Sequence, residues 1–293
     1  MYDIAALYEA ETLEHALALL EEHPEARIIA GGSDVLIQVR EGRLAGSVLV
    51  SIQKLDTLRG IALEEDGAIR IGALTSFSQI AQDPLIQTHL AVLGEAVSLI
   101  GGPQIRNIGT IGGNTCNGVS SADSAATLMA LDAIMEYQGS GGIRQVPIQA
   151  HYVAAGKTAL AQAELLTAIR IPQESYRCCY GHYLKYAMRN AMDIATLGCS
   201  VNVRLTEDKG CLERVRIGFG VAGPVPMRAL HAEAAVKGQR VSGETLDAAG
   251  KAALMDVQPR SSWRASRDLR LHLVEELTKR ALGCSIRHAG GML

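Results

Sequence analysis

Ile28-Ile29-Ala30-Gly31-Gly32-Ser33-Asp34 ends a short apolar run in two residues without a Cβ, then sets a hydroxyl and a carboxylate beside them. Farther along, Gly109-Thr110-Ile111-Gly112-Gly113-Asn114 repeats the arrangement, with Thr110 and Asn114 as side-chain donors. Glycines let two or three successive N–H groups point at one oxyanion, because a phosphate can approach bare backbone closely. A lone Gly-Gly is more often only a tight turn. Two of them, each flanked by hydrogen-bonding side chains and a domain-sized interval apart, point to the two phosphates of a dinucleotide.

Around the first turn, Leu13, Ala16, Leu17 and Leu20 form a helical stripe behind Thr12 as N-cap, with Glu14 in the first turn. Arg27 to Ala30 reads as a strand, Val35, Leu36, Ile37 and Val39 open another helix, and Val48 to Ile52 is a buried strand, which makes residues 1–55 a small α/β unit. Residues 56–175 mix β runs (Ala68 to Leu74, Ala133 to Tyr137, Ile143 to Val146, Leu165 to Pro172) with a helical stripe through Leu90, Leu93, Val97 and Ile100. Gly139 to Gly142 is a hairpin turn, and the unit is α+β. Gln173 to Arg177 reads as a linker into residues 176–293. There Leu197, Cys199, Val201, Val203 and Leu205 alternate with Gly198, Ser200, Asn202 and Arg204, the pattern of a half-buried strand. Val215, Ile217 and Phe219 repeat it after the Asp208-Lys209-Gly210 turn, and a late stripe through Leu269, Leu273, Leu277 and Ala281 predicts helices packed on one face of that sheet.

Composition removes several functions. With 48% hydrophobic and 20% charged residues the chain has material for a sizeable core, and a net charge of -3 without a basic cluster gives no reason to expect nucleic acid or an anionic membrane. Aromatics at 4% leave no stacking platform for single strands. Met-Tyr-Asp-Ile at the start lacks a basic stretch followed by an apolar run, and no long apolar span follows, so a cytoplasmic protein is expected. Cys116, Cys178, Cys179, Cys199, Cys211 and Cys284 show no metal-ligand spacing and read as reduced, mostly buried thiols.

Two other motifs fail. Gly218-Phe-Gly-Val-Ala-Gly223 matches G-x-G-x-x-G, but Pro224 and Pro226 stand where a helix must open. Gly156-Lys157-Thr158 has His151 in place of the first P-loop glycine. The eight histidines show no paired spacing.

Ala30 to Asp34 resembles the first phosphate turn of the flavin subunits of molybdenum hydroxylases, and Gly102 to Asn114 resembles their second. Ser121-Ala-Asp-Ser124, Lys185 to Ala195 and Pro259-Arg-Ser-Ser-Trp-Arg264 continue the likeness in order, so that it covers essentially the whole chain. The resemblance is to the flavin subunits of bacterial three-subunit xanthine dehydrogenases. It implies a p-cresol methylhydroxylase-type fold of two α+β subdomains around FAD, followed by a C-terminal domain of the carbon monoxide dehydrogenase flavoprotein type. It implies that Ile28, Ile29, Ala30, Gly31, Gly32, Ser33, Asp34 and Val35 wrap the pyrophosphate and that Thr110, Ile111, Gly112, Gly113 and Asn114 close on it. Asp123 accepts from FAD sugar hydroxyls or is a helix N-terminal carboxylate; Leu165 lies on the cofactor's apolar surface or is core. Ile100 and Gly101 lie near the isoalloxazine, and Lys185 is a cation beside the ring or a solvated lysine at a strand edge. Asp193 and Ile194 match a loop on the side where NAD binds.

No catalytic side chain and no metal site are expected in this chain. The resemblance implies that molybdopterin and [2Fe-2S] clusters belong to partner subunits, from which electrons are expected to pass through FAD to NAD+. Ser33 stands where relatives carry Thr and Trp263 where many carry Tyr; the cysteine-bearing insertion of 4-hydroxybenzoyl-CoA reductase relatives is absent. Alternatives are a flavin subunit acting with another N-heterocycle or carbon monoxide hydroxylase, and a stand-alone UDP-N-acetylenolpyruvoylglucosamine reductase.

Overall fold

The computed structural model describes residues 2–293. The first sheet is parallel, ordered β1-β3-β2, with β1 (Ile4–Glu9), α1 (Leu13–Glu22), β2 (Arg27–Ile29), α2 (Val35–Arg40) and β3 (Ser47–Ser51) in chain order. Thr12 caps α1 by accepting from His15 N, and Ala16, Leu17, Leu19 and Leu20 bury the inner face of that helix against the sheet. The core of this unit reaches beyond it to Leu58, Leu74 and Leu165.

Next come β4 (Ile61–Leu63), β5 (Ile69–Gly72), α3 (Phe77–Gln82), α4 (Pro84–His89), α5 (Ala91–Ser98), α6 (Pro103–Ile108), α7 (Ile111–Cys116) and α8 (Asp123–Ala130). The hairpin β6 (Ile134–Gly139) and β7 (Gly142–Pro147) follows, then α9 (Ile148–His151), β8 (Tyr152–Ala154), β9 (Lys157–Thr158) and β10 (Leu165–Ile171). Long-range return of β10 to the centre gives the sheet order β4-β5-β10-β6-β7, with every neighbouring pair antiparallel. Gly156, of the P-loop-like triplet, has φ +70° in the tight turn between β8 and β9.

The third sheet, β11-β12-β13-β14, is antiparallel: β11 (Tyr180–Tyr186), β12 (Leu197–Leu205), β13 (Leu212–Gly220) and β14 (Met227–Arg228). Helices α10 (Leu230–Val236), α11 (Gly243–Ala253) and α12 (Arg267–His288) pack on one face with Leu197, Cys199, Val201 and Val203.

Three expectations need correction. The polar face of β12 is not solvent-facing, because α8 covers it: Ser200 and Asn202 are buried, and a Cβ on Gly218 would collide with Ala126 O. Gly218 of the G-x-G-x-x-G match thus serves strand-to-helix packing. The Gln173 to Arg177 stretch is no free linker either; it forms a short 3-10 turn whose Ser175 O accepts from Asn202 Nδ2 at 2.7 Å. All six cysteines are free, yet Cys199 alone is buried and Cys178 is exposed.

Between the two larger sheets stands Asp132, whose positive φ of 49° carries it off the end of α8. It meets Arg214 at 2.7 Å, Arg216 at 2.8 Å and also Arg228, all from the third sheet. Burial would raise its carboxyl, but the Arg216 hydrogen bond and the three positive charges hold it below its ordinary value.

Candidate functional site

The two glycine turns come together. A Cβ on Gly31 would strike Ile108 O, and Gly109 N lies 3.3 Å from the same point, so the first turn rests on the backbone leading into the second. Ala30, Gly31 and Thr110 share one cavity of about 410 Å³, whose wall also carries Gln53, Arg59 and Asn107.

Their chemistry differs, which the sequence did not reveal. Gly32 has φ +72°, and among the described residues none of the N–H groups of Gly31, Gly32, Ser33 and Asp34 has an acceptor within the chain. Four donors in one turn without partners form an anion-binding concavity. Asp34 turns its carboxylate away, to Gln38 Nε2 at 2.6 Å. In the second motif the N–H groups from Ile111 to Asn114 are taken. Ile111 N donates to Thr75 O at 3.1 Å, Gly112 N to Ala73 O at 2.9 Å, and Gly113 N to Thr110 Oγ1 at 3.2 Å. This corrects the reading of two equivalent turns: Thr110 is the N-cap of α7, and Gly112 is required because a Cβ would lie 2.6 Å from Ala73 Cβ. What the second turn offers a ligand is the Thr110 N–H and O–H and the Asn114 amide. Ser124 Oγ donates to Asn114 Oδ1 at 2.7 Å, which orients Nδ2 as the remaining donor.

Asp123 and Lys185 form a single buried unit. Lys185 Nζ donates to Asp123 Oδ2 at 2.8 Å and to Leu99 O at 3.0 Å, and Tyr183 Oη donates to Asp123 Oδ1 at 2.7 Å. Lys185 lies on the edge strand β11, yet its side chain is only 9% exposed, so it is not a solvated edge lysine. Burial pushes the Asp123 carboxyl above its ordinary value against the pull of Lys185 and Tyr183. Burial, then the Asp123 charge, push Tyr183 far higher, so it stays a donor. Asp123 thus stands at the start of α8, as the helix-terminus alternative has it, with both oxygens engaged.

Ile100 and Gly101 adjoin this unit through Leu99. Arg106 Nη1 donates to both their carbonyls at 3.1 Å, and Gly101 holds φ +49°. Met192 Cε comes within 3.5 Å of where a Gly102 Cβ would stand, so the loop after β11 folds back over this corner. Asp193 stabilises that loop by accepting from Arg189 N and Ile194 N, while Ile194 is exposed. Leu165, at 1% exposure, sits in the first unit's core with Leu17 and Leu74. Ile28 and Ile29 lie in β2, and Val35 begins α2.

Sequence reasoning missed Tyr183, Arg106 and Arg59. Tyr183 lies two residues from Lys185 and thus on the same strand face, a signal that was there to use. Arg106 lies inside the second motif. Nothing near Arg59 marks it; its Nη1 donates to Leu74 O at 3.0 Å and its Nη2 to Gln53 O at 2.7 Å, and these bonds hold it on the cavity wall.

Residues 3–174 match the family model described as FAD binding domain in molybdopterin dehydrogenase, and residues 182–285 match the CO dehydrogenase flavoprotein C-terminal domain. The chain is 44% identical to the xanthine dehydrogenase FAD-binding subunit of Escherichia coli O157:H7, over 100% of both. It is 32% identical to the nicotinate dehydrogenase FAD-subunit of Eubacterium barkeri, over 82% of each chain. A chain of carbon monoxide dehydrogenase from Hydrogenophaga pseudoflava superposes with TM-score 0.92 at 30% identity, covering 97% of this chain and 98% of that one. The α+β fold expected from the sequence, an FAD-binding part followed by a carbon monoxide dehydrogenase flavoprotein-type domain, is the fold found.

Proposed function

The chain belongs to the family of FAD-binding subunits of the molybdopterin dehydrogenases, and on that premise we propose that it is the electron-transfer subunit of a xanthine-dehydrogenase-type molybdenum hydroxylase. Partner subunits hold molybdopterin and [2Fe-2S] clusters; electrons arrive here from those clusters and leave to NAD+. Residues 1–55 and 56–175 are assigned as the two FAD subdomains and 176–293 as the C-terminal domain. The location is the cytoplasm; no helix among the described residues is long and apolar enough to cross a membrane.

The observation that carries the reading is the turn of partnerless N–H groups at Gly31 to Asp34, seated on the Ile108–Gly109 backbone beside Thr110. Such a donor set fits a pyrophosphate. Bound FAD supplies the redox chemistry. The Gly31 to Asp34 N–H groups bind its phosphate oxygens, with Ile28, Ile29, Ala30 and Val35 as the frame of the turn. Thr110 and Asn114 close from the other side, held in place by Ile111, Gly112 and Gly113. Lys185 uses two of its three protons on Leu99 O and Asp123, which leaves one N–H and a fixed positive charge beside Ile100 and Gly101. A cation held there stabilises negative charge on a ring at that corner without reorganising. Leu165 backs the apolar side from the core. No side chain in the set need act as acid or base.

Full-length identity of 44% to a xanthine dehydrogenase subunit, against 32% to a nicotinate dehydrogenase subunit, supports the xanthine type. The test is purification of the native complex with metal analysis, a visible spectrum and an assay of xanthine-dependent NAD+ reduction. The expected result is a flavin spectrum with molybdenum and iron and with NADH formed. A complex that carries the metals but reduces another acceptor and never NAD+ would contradict the relay as stated.

A further inference from the structure

Arg260, Arg264, Arg267 and Arg270 crowd the loop before α12 and its first turn. Among the described residues none of the four makes an ion pair. Arg267 and Arg270 also lie at the positive end of a 22-residue helix, where cations are disfavoured and only Asp268 offsets them. Arg270 is 3% exposed; it donates to Arg260 O and, at 2.8 Å, to Ser262 Oγ, while its Nε has no acceptor. Arg264 Nε is likewise buried and partnerless. Burial, then the charges of Arg260 and Arg264, lower the Arg270 pKa, which marks a site short of negative charge.

Above this cluster stands Trp263, 77% exposed, with the Arg264 guanidinium 4.2 Å from its ring centroid. An indole left in water costs apolar hydration, and Trp and Arg are the residues on which protein interfaces concentrate their affinity.

We propose that Trp263, with Arg260 and Arg264, docks a carboxylate-rich segment of a partner subunit. Indole burial anchors the contact, and the partner's carboxylates supply the negative charge that this chain lacks there. The proposal rests on the reading of the chain as one subunit of an assembly.

For the test, the chain is co-produced with its molybdenum and iron–sulfur subunits as wild type, as Trp263→Ala and as Arg260→Glu/Arg264→Glu. Association is measured by sedimentation at low and high salt, FAD content and the unfolding midpoint are recorded, and a photo-crosslinker is placed at position 263. The expected result is association weakened about thirtyfold in each variant, a wild-type contact that loosens with salt, unchanged FAD content, and a cross-link to an acidic segment of a partner. Should a variant lose FAD, the cross-link alone decides. Variants that associate like wild type, or a cross-link to a segment without carboxylates, overturn the docking and leave the relay standing. Failure of the wild-type chain to associate with either subunit overturns both.

Discussion

Lys185 Nζ lies 2.8 Å from Asp123 Oδ2 and ties the edge strand of the C-terminal sheet to the first turn of α8 in the FAD-binding part. Both side chains are nearly sealed from water. A pair so placed is expensive to break by halves, because the residue left behind is an uncompensated buried charge.

Lys185→Met and Asp123→Asn should each therefore destabilise the chain, by about 3 kcal/mol for the lysine change. The double variant should lose less than the sum of the two. Urea unfolding of the four proteins checks this, and strict additivity would show that the pair is not coupled.

Asp132 is predicted to be the main electrostatic tie between the second and third sheets. Its pKa is depressed, so its contribution is present above the ordinary value of 3.8 and is lost as pH falls through the lower folded value. Asp132→Asn should cost about 3 kcal/mol at neutral pH. Stability difference curves between pH 7 and pH 3 (roughly the carboxylate range) would show the gap closing toward acid.

His151 is buried between Tyr137, whose hydroxyl contacts Nδ1, and Thr115 O, which Nε2 approaches at 3.2 Å. Burial lowers its pKa from 6.5 despite the Thr115 contact, so the fold prefers the neutral ring. Stability from this site should be complete above 6.5 and decline as pH falls below it. His151→Gln should flatten that part of the wild-type profile; an unchanged acid slope would refute the assignment.

In the second phosphate turn, Ser124→Ala should free the Asn114 amide to rotate and weaken FAD retention by a modest factor, about fivefold for one neutral hydrogen bond. Flavin fluorescence released during dialysis measures it. Retention equal to wild type would mean that Asn114 does not contact the cofactor.

Much of this molecule was legible in its sequence because local signals and tertiary demands agree there. The Thr12 cap, the Gly139 to Gly142 hairpin and the alternation in β12 and β13 are each fixed within a few residues. The unequal chemistry of the two glycine turns was not legible, since only the fold shows that Ala73 O and Thr75 O occupy the N–H groups of Gly112 and Ile111. For the same reason Ser200 and Asn202 read as a wet face, although α8 comes from residues far away in the chain to cover it. Lys185 could be named from a resemblance, whereas its burial against Asp123 required two units to meet.

The most direct measurement is the ratio of FAD to chain, determined after denaturing release, for wild type and for Gly31→Val. The wild-type chain in its native complex should carry one FAD. A side chain at position 31 collides with Ile108 O and separates the open N–H turn from Thr110, so the variant should carry almost none while the C-terminal domain stays folded. Full flavin content in Gly31→Val, or a wild-type chain without flavin, would contradict the account.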